Sequence, residues 1–179
     1  MYLEKRTDVK NWGNTESKDK FKITVRRGNK LVEHIKGERI SQIVEEVGYW
    51  RKANAIHQWF VDNIQDGVDD SKSYYADVEK LKELLELVNK VLKASKLVEG
   101  KIQNGSESKG GKMVPIMVDG KYIEDPSVAK ELLPTQEGFF FGSTDYNEYY
   151  IQDLKNTKEI LEEALADDIG CEYYYQSSW

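Results

Sequence analysis

Residues 78–92 carry the pattern that most limits how this chain can fold. Val78, Leu81, Leu84, Leu85, Leu87, Val88, Val91 and Leu92 recur mainly at spacings of three and four, with lysines and glutamates between them. A helix over this stretch has one apolar face and one charged face, and the apolar face must be covered by another layer of structure. Asp77 stands where an N-cap is needed, and the pattern stops near Ser95. The helix carries no chemistry; its demand is for a partner layer.

The chain can supply one. Its 179 residues suit a single domain with a sizeable core. Only 39% are hydrophobic against 32% charged, and that 39% includes eleven tyrosines and four tryptophans, each burying large area while keeping a polar tip. A net charge of −6 argues against a general nucleic-acid binder and leaves room only for a local basic site. One cysteine, Cys171, and two histidines, His34 and His57, cannot form an intramolecular disulfide or a zinc-type cluster, so no metal or cofactor is expected. No apolar run approaches the roughly 20 residues of a membrane span, and the first residues lack the apolar segment of a signal peptide. The expectation is a cytoplasmic protein with no membrane association.

The first forty residues read as extended. Phe21, Ile23 and Val25 alternate with charged residues and are expected on a core face, and a turn at Gly28-Asn29 leads into a second strand over residues 30–35. The basic residues on this hairpin make either a solvated sheet face or an anion-binding one.

Residues 38–65 read as helical. Ile40, Ile43, Val47, Trp50, Asn54, His57, Val61 and Ile64 alternate spacings of three and four and form one inward seam. Gly48 interrupts it at a cost of about 1 kcal/mol and marks a bend or the junction of two helices near Tyr49. Asn54 and His57 sit mid-seam, where an unpaired polar group costs about 1 to 3 kcal/mol. They form a satisfied core pair or line a cavity. Trp59 falls with Arg51, Lys52, Ala55 and Asp62 on the arc facing water. There it is covered by another segment, or it is a stacking surface flanked by cations and suited to a nucleotide or a partner protein. The acidic turn 65–71 that follows lacks the spacing of a calcium loop, and turn formation explains it.

Residues 97–123 read as a hairpin or flexible-loop insertion on the helical body. Residues 104–111 form its loop or tip, a tight turn is expected at Asp119-Gly120, and Pro115 demotes its strand to an edge. Phe139-Phe140-Phe141 suggests a short buried strand. Asp145 with Glu148 suggests a capping box opening a helix whose apolar face is Tyr150, Leu154, Leu161 and Leu165. Residues 171–179 read as a final aromatic strand ending in a docked Trp179, with Tyr173 and Tyr175 in the core or at an interface. The fold class is therefore α+β: one domain over 1–179, three or four helices packed with short antiparallel strands, and the inserted hairpin or loop.

Two segments also resemble a known group. Tyr49-Trp50-Arg51-Lys52-Ala53-Asn54-Ala55-Ile56-His57-Gln58-Trp59-Phe60-Val61, with the acidic turn after it, and Leu133-Pro134-Thr135-Gln136-Glu137-Gly138-Phe139-Phe140-Phe141-Gly142-Ser143-Thr144 are similar to small uncharacterised proteins encoded by bacteriophages and prophages. The chain departs from them in keeping only Met1-Tyr2-Leu3 of a longer start and in having Ser71 where many carry cysteine.

The resemblance implies a phage accessory protein in the host cell. Such a protein would bind a host defence protein or a nucleotide-like signal, without catalysis and with homo-oligomerisation open. The alternatives are a small enzyme acting on a nucleotide derivative, with His57 as acid or base, and a virion or assembly component. Candidate ligand- or partner-binding residues are Arg51, Lys52, Asn54, His57, Trp59, Thr135, Ser143 and Thr144.

Overall fold

The computed structural model describes residues 1–138, 143–167 and 169–178, and it is α+β. Its centre is an antiparallel sheet of four strands: β1 (Tyr2–Asp8), β4 (Gln42–Tyr49), β5 (Ser73–Ala76) and β8 (Cys171–Gln176), in the order β4-β1-β8-β5. Alternation along these strands separates the faces. Leu3, Ala76, Tyr173 and Tyr175 are fully buried on one side, whereas Tyr49 and Tyr75 stay exposed on the other. The inner face is covered by α1 (Asn54–Asn63), α2 (Val78–Ala94) and α4 (Glu148–Ala166).

The stripe over residues 78–92 meets its demand against α4. Leu81, Leu84, Val88 and Val91 of α2 share one core with Leu154, Leu161 and Ala164 of α4. Asp77 caps α2 by accepting a hydrogen bond from the Glu79 N–H at 2.8 Å. Among the described residues, no helix is long and apolar enough to cross a membrane.

The expected helix over 38–65 is corrected in its first half. Residues Gln42–Tyr49 are strand β4, paired along β1 from Tyr2↔Tyr49 to Asp8↔Gln42. Ile43, Val44 and Val47 are β-branched and favour a pleated surface, so the three-and-four spacing there is not helical. Ile43 is 40% exposed rather than inward. Gly48 is the strand's closest approach to the helical layer: a Cβ there would lie 2.7 Å from Ile160 Cγ2 of α4. Trp50 is buried as expected, but the helical seam holds only from Asn54 onward, after Lys52 turns the chain at φ 63°.

Other elements are shifted too. The expected 21–35 hairpin shrinks to β2 (Arg26–Arg27) and β3 (Lys30–Leu31) around Gly28, with Phe21 half exposed instead of in the core. Residues 97–123 form a long hairpin of β6 (Leu97–Lys109) and β7 (Lys112–Ile123). Its tip is Gly110-Gly111, and Asp119 and Gly120 lie within β7 opposite Lys101 and Gly100 instead of making a turn.

Helix α4 is capped by Asn147, not Asp145. The Asn147 Oδ1 accepts from the N–H groups of Tyr149 and Tyr150 at 2.9 and 3.4 Å. A short helix α3 (Ser127–Leu132) precedes this region. Strand β8 is interior to the sheet, so Tyr173 and Tyr175 are core residues and are not available to an interface. The expected strand at Phe139-Phe140-Phe141, and Gly142 and Trp179, lie outside the described residues.

Candidate functional site

The turn from β4 into α1 begins the site. Trp50, 1% exposed, is fixed by its Nε1–H donating to Thr157 Oγ1 of α4 at 2.9 Å. The next two residues, Arg51 and Lys52, are thereby thrown to the surface. Helix α1 then starts at Asn54 with Ala53 as its N-cap, no side-chain cap and no acidic residue in its first turn. A helix start leaves its first N–H groups without intrahelical partners and concentrates about half a positive charge there. Here nothing on the helix's own first turn offsets it, and Arg51 and Lys52 add two cations that form no ion pair among the described residues.

Asn54, buried, ties α1 to the segment before α4. Its Nδ2 donates to the Ser143 carbonyl at 3.1 Å and its Oδ1 accepts from the Gln136 N–H at 3.4 Å. Thr135 closes that segment on itself, donating through Oγ1 to the Thr144 carbonyl at 2.8 Å. A second wall is the start of α4, including Asn147, Tyr149 and Asp153. The third is a bulge in the hairpin, where pairing slips between Gln103 and Ser106 around Gly105 at φ 88°. Together they line a half-open cavity of about 600 Å³, within the range of small-ligand sites.

Arg51, Lys52, Asn54, Thr135 and Ser143 all line this cavity. Thr144 does not; it contributes only the carbonyl that holds Thr135. His57 and Trp59 are also elsewhere. Trp59 is 7% exposed and meets Phe60 edge-on at 5.3 Å, and residues 132–134 border it across a small cleft, so it is covered and not a free stacking face.

His57 is 1% exposed. Its Nδ1 lies 2.7 Å from Tyr175 Oη and its Nε2 lies 3.2 Å from Asp69 Oδ1 of the acidic turn. Asp69 accepts a hydrogen bond from Nε2, which places the neutral imidazole's proton there and leaves Nδ1 to accept from the Tyr175 hydroxyl, kept protonated by burial. Burial also lowers the His57 pKa, against the hydrogen bond and charge of Asp69. The imidazole thus links α1, β8 and the acidic turn inside the core, beside a Phe60–Tyr175 stack at 3.9 Å.

Two residues of the cavity escaped the sequence reading. Asp153 is a half-buried carboxyl with no hydrogen bond or ion pair from its side chain among the described residues, and burial raises its pKa to about 6. Asn147 is 1% exposed, and its Nδ2 has no hydrogen-bond partner among the described residues. A signal for Asp153 was present: it lies three residues after Tyr150 and four before Thr157, on the buried side of α4. Comparison of the chain with family models, with curated proteins and with solved structures finds no match, so the reading of this site rests on its own geometry.

Proposed function

We propose that this protein binds a small phosphate-bearing, nucleotide-like ligand in the cavity and does so without turning it over. The observation that carries this reading is the α1 amino end, uncapped by any side chain and joined by Arg51 and Lys52 at the mouth of a cavity of about 600 Å³. Backbone N–H groups at a helix start, with an Arg fork and a Lys beside them, are the standard means of holding a phosphate. His57 is built into the core away from this cavity, so an enzyme reading would have to place acid–base chemistry on other groups of its lining, such as Asp145 or Asp153. The resemblance to small phage-encoded proteins supplies the biological sense: a phage protein that captures a host nucleotide signal would blunt an antiviral defence that depends on it.

The test is calorimetric titration with pyrophosphate and with nucleoside mono- and diphosphates at low and high salt, with the products checked for turnover. Binding that weakens with salt is expected, as is a loss of roughly tenfold or more in Arg51→Ala, since a hydrogen bond to a charged group is worth about 1.5–3 kcal/mol. Affinity unchanged in Arg51→Ala and Lys52→Ala would remove the basis of the proposal, and turnover of the bound nucleotide would move the protein to the enzyme class.

A further inference from the structure

The hairpin of β6 and β7 divides into two halves. Its inner half is seated on the body: Ile102 and Ile123 are buried, and Tyr122 forms a β-bridge with Asn147 just ahead of α4. Past Gln103 and Val118 that support ends, and every residue from 104 to 117 is exposed. At about 3.4 Å per residue this outer half projects roughly 20 Å as a ribbon of two strands, a form that is marginal in water unless something packs on it.

The ribbon is uneven across its width. Strand β7 presents Met113, Val114, Pro115, Ile116 and Met117 in a row, and Met113 and Met117 are 69% and 51% exposed. Opposite them β6 has only the polar residues Ser108, Glu107, Ser106 and Gln103. Single exposed apolar residues are ordinary, but a contiguous row of five marks a contact surface. Pro115 holds its place opposite Ser106, and a proline in a ladder turns its missing N–H away from the paired strand. The free edge of β7 therefore lacks a donor at mid-length and resists open-ended strand addition, so a partner is met through side chains.

Surface area and charge select that partner. The chain exposes 11736 Å², roughly 2,800 Å² more than a compact monomer of its mass, and two segments project from the body: the outer hairpin and residues 10–41. Residues 10–41 carry nine basic and four acidic side chains, so two copies of that segment repel each other. The outer hairpin carries three charged residues, of which Glu107 and Lys109 are paired at 2.6 Å, and none lies between Met113 and Val118. A twofold interface sets each group near its own equivalent, which an uncharged apolar strip tolerates and a charged one does not. We propose that the outer hairpin is a self-association arm, with β7 of one copy packed side chain to side chain on β7 of a second copy across a twofold axis. Two such arms cover on the order of 1,000 Å² in total, the lower end of specific interfaces, so the dimer dissociates on dilution.

The experiment is sedimentation velocity on the intact protein over a wide range of concentrations, with variants at exposed positions: Met113→Lys and Ile116→Lys on the arm, and Leu31→Lys on the other projection. Circular dichroism checks that each is folded. The wild type is expected to pass from monomer to dimer as concentration rises. Met113→Lys and Ile116→Lys should each weaken the dimer at least about tenfold, because like charges brought together across an interface repel, while Leu31→Lys should leave it unchanged. A wild type that stays monomeric at every concentration would overturn the proposal and leave the strip to a different protein. So would a dimer kept in both arm variants, or assembly that grows past the dimer. No nucleotide enters the measurement, so its outcome is separate from that of the nucleotide titrations.

Discussion

Asp153→Asn should stabilise the protein at neutral pH, although it removes a charged group from the cavity wall. The folded structure raises this carboxyl from 3.8 to about 6 by burial, and no ion pair or side-chain hydrogen bond among the described residues offsets it. At pH 7 the folded state must therefore hold a charge it would rather not carry. A tenfold change in proton affinity is about 1.4 kcal/mol, which sets a ceiling of about 3 kcal/mol on the penalty; the carboxyl is partly exposed, and solvent screening lowers this to about 1 kcal/mol.

The sign with pH follows from the raised value. Above pH 6 the penalty is fully present. Between pH 6 and 4 the folded state binds more protons than the unfolded chain, so the wild type recovers stability from this group as pH falls. Asp153→Asn has no penalty to recover. Urea unfolding of both proteins at pH 7.5 and pH 4 should give the variant an advantage of about 1 kcal/mol that vanishes at the lower pH, a comparison in which the effects of all other groups cancel. A variant less stable than wild type at pH 7.5, or an advantage independent of pH, would refute the claim that an unpaired carboxylate strains the cavity wall. An advantage with the stated pH dependence would instead mark a stability cost retained for binding.

Three further outcomes are expected. Gly48→Ala should cost about 1–3 kcal/mol by overpacking against Ile160, whose Cγ2 would lie 2.7 Å from the new Cβ; in urea unfolding, the cost should shrink when combined with Ile160→Ala, and purely additive losses would contradict the contact. Thr157→Val should cost about 1–3 kcal/mol because it strands the buried Trp50 Nε1–H now bonded at 2.9 Å; Trp50→Phe in that background should then cost less than it does alone. The depressed pKa of His57 means that the unfolded chain takes up a proton below about pH 6.5 that the folded state resists, so this group removes stability as pH falls, by at most about 1.4 kcal/mol per pH unit. His57→Gln should lose that part of the acid slope in denaturation curves at pH 7.5 to 5, and an unchanged slope would assign the effect elsewhere.

What the sequence determined by itself was local. The stripe over residues 78–92 and the cap at Asp77 needed no distant partner to be legible, because helix periodicity and capping are written within a few residues of one another. The same holds for the second half of the 38–65 seam, where Asn54 and His57 were expected to have buried partners and do. Residues 42–49 were not legible. Their β-branched residues fit a strand and their spacing fits a helix, and the choice is made by β1, whose unpaired edge β4 satisfies from forty residues away. Tertiary structure also chose between the two readings of Trp59, by setting residues 132–134 beside it.

The cavity divides in the same way. Arg51 and Lys52 stood out as adjacent cations before a helix, and Asn54 as a polar residue in an apolar seam. Asn147 and Asp153 did not, because an asparagine at a helix start and an aspartate within a helix are ordinary in sequence. They become unusual only in the fold, where they share one cavity with the bulge at Gln103 to Ser106 and the turn before α1. Burial turns a common carboxylate into one that titrates near 6 and a capping amide into a donor without an acceptor, and burial is a property of what packs around a residue, not of the residue or its neighbours in the chain.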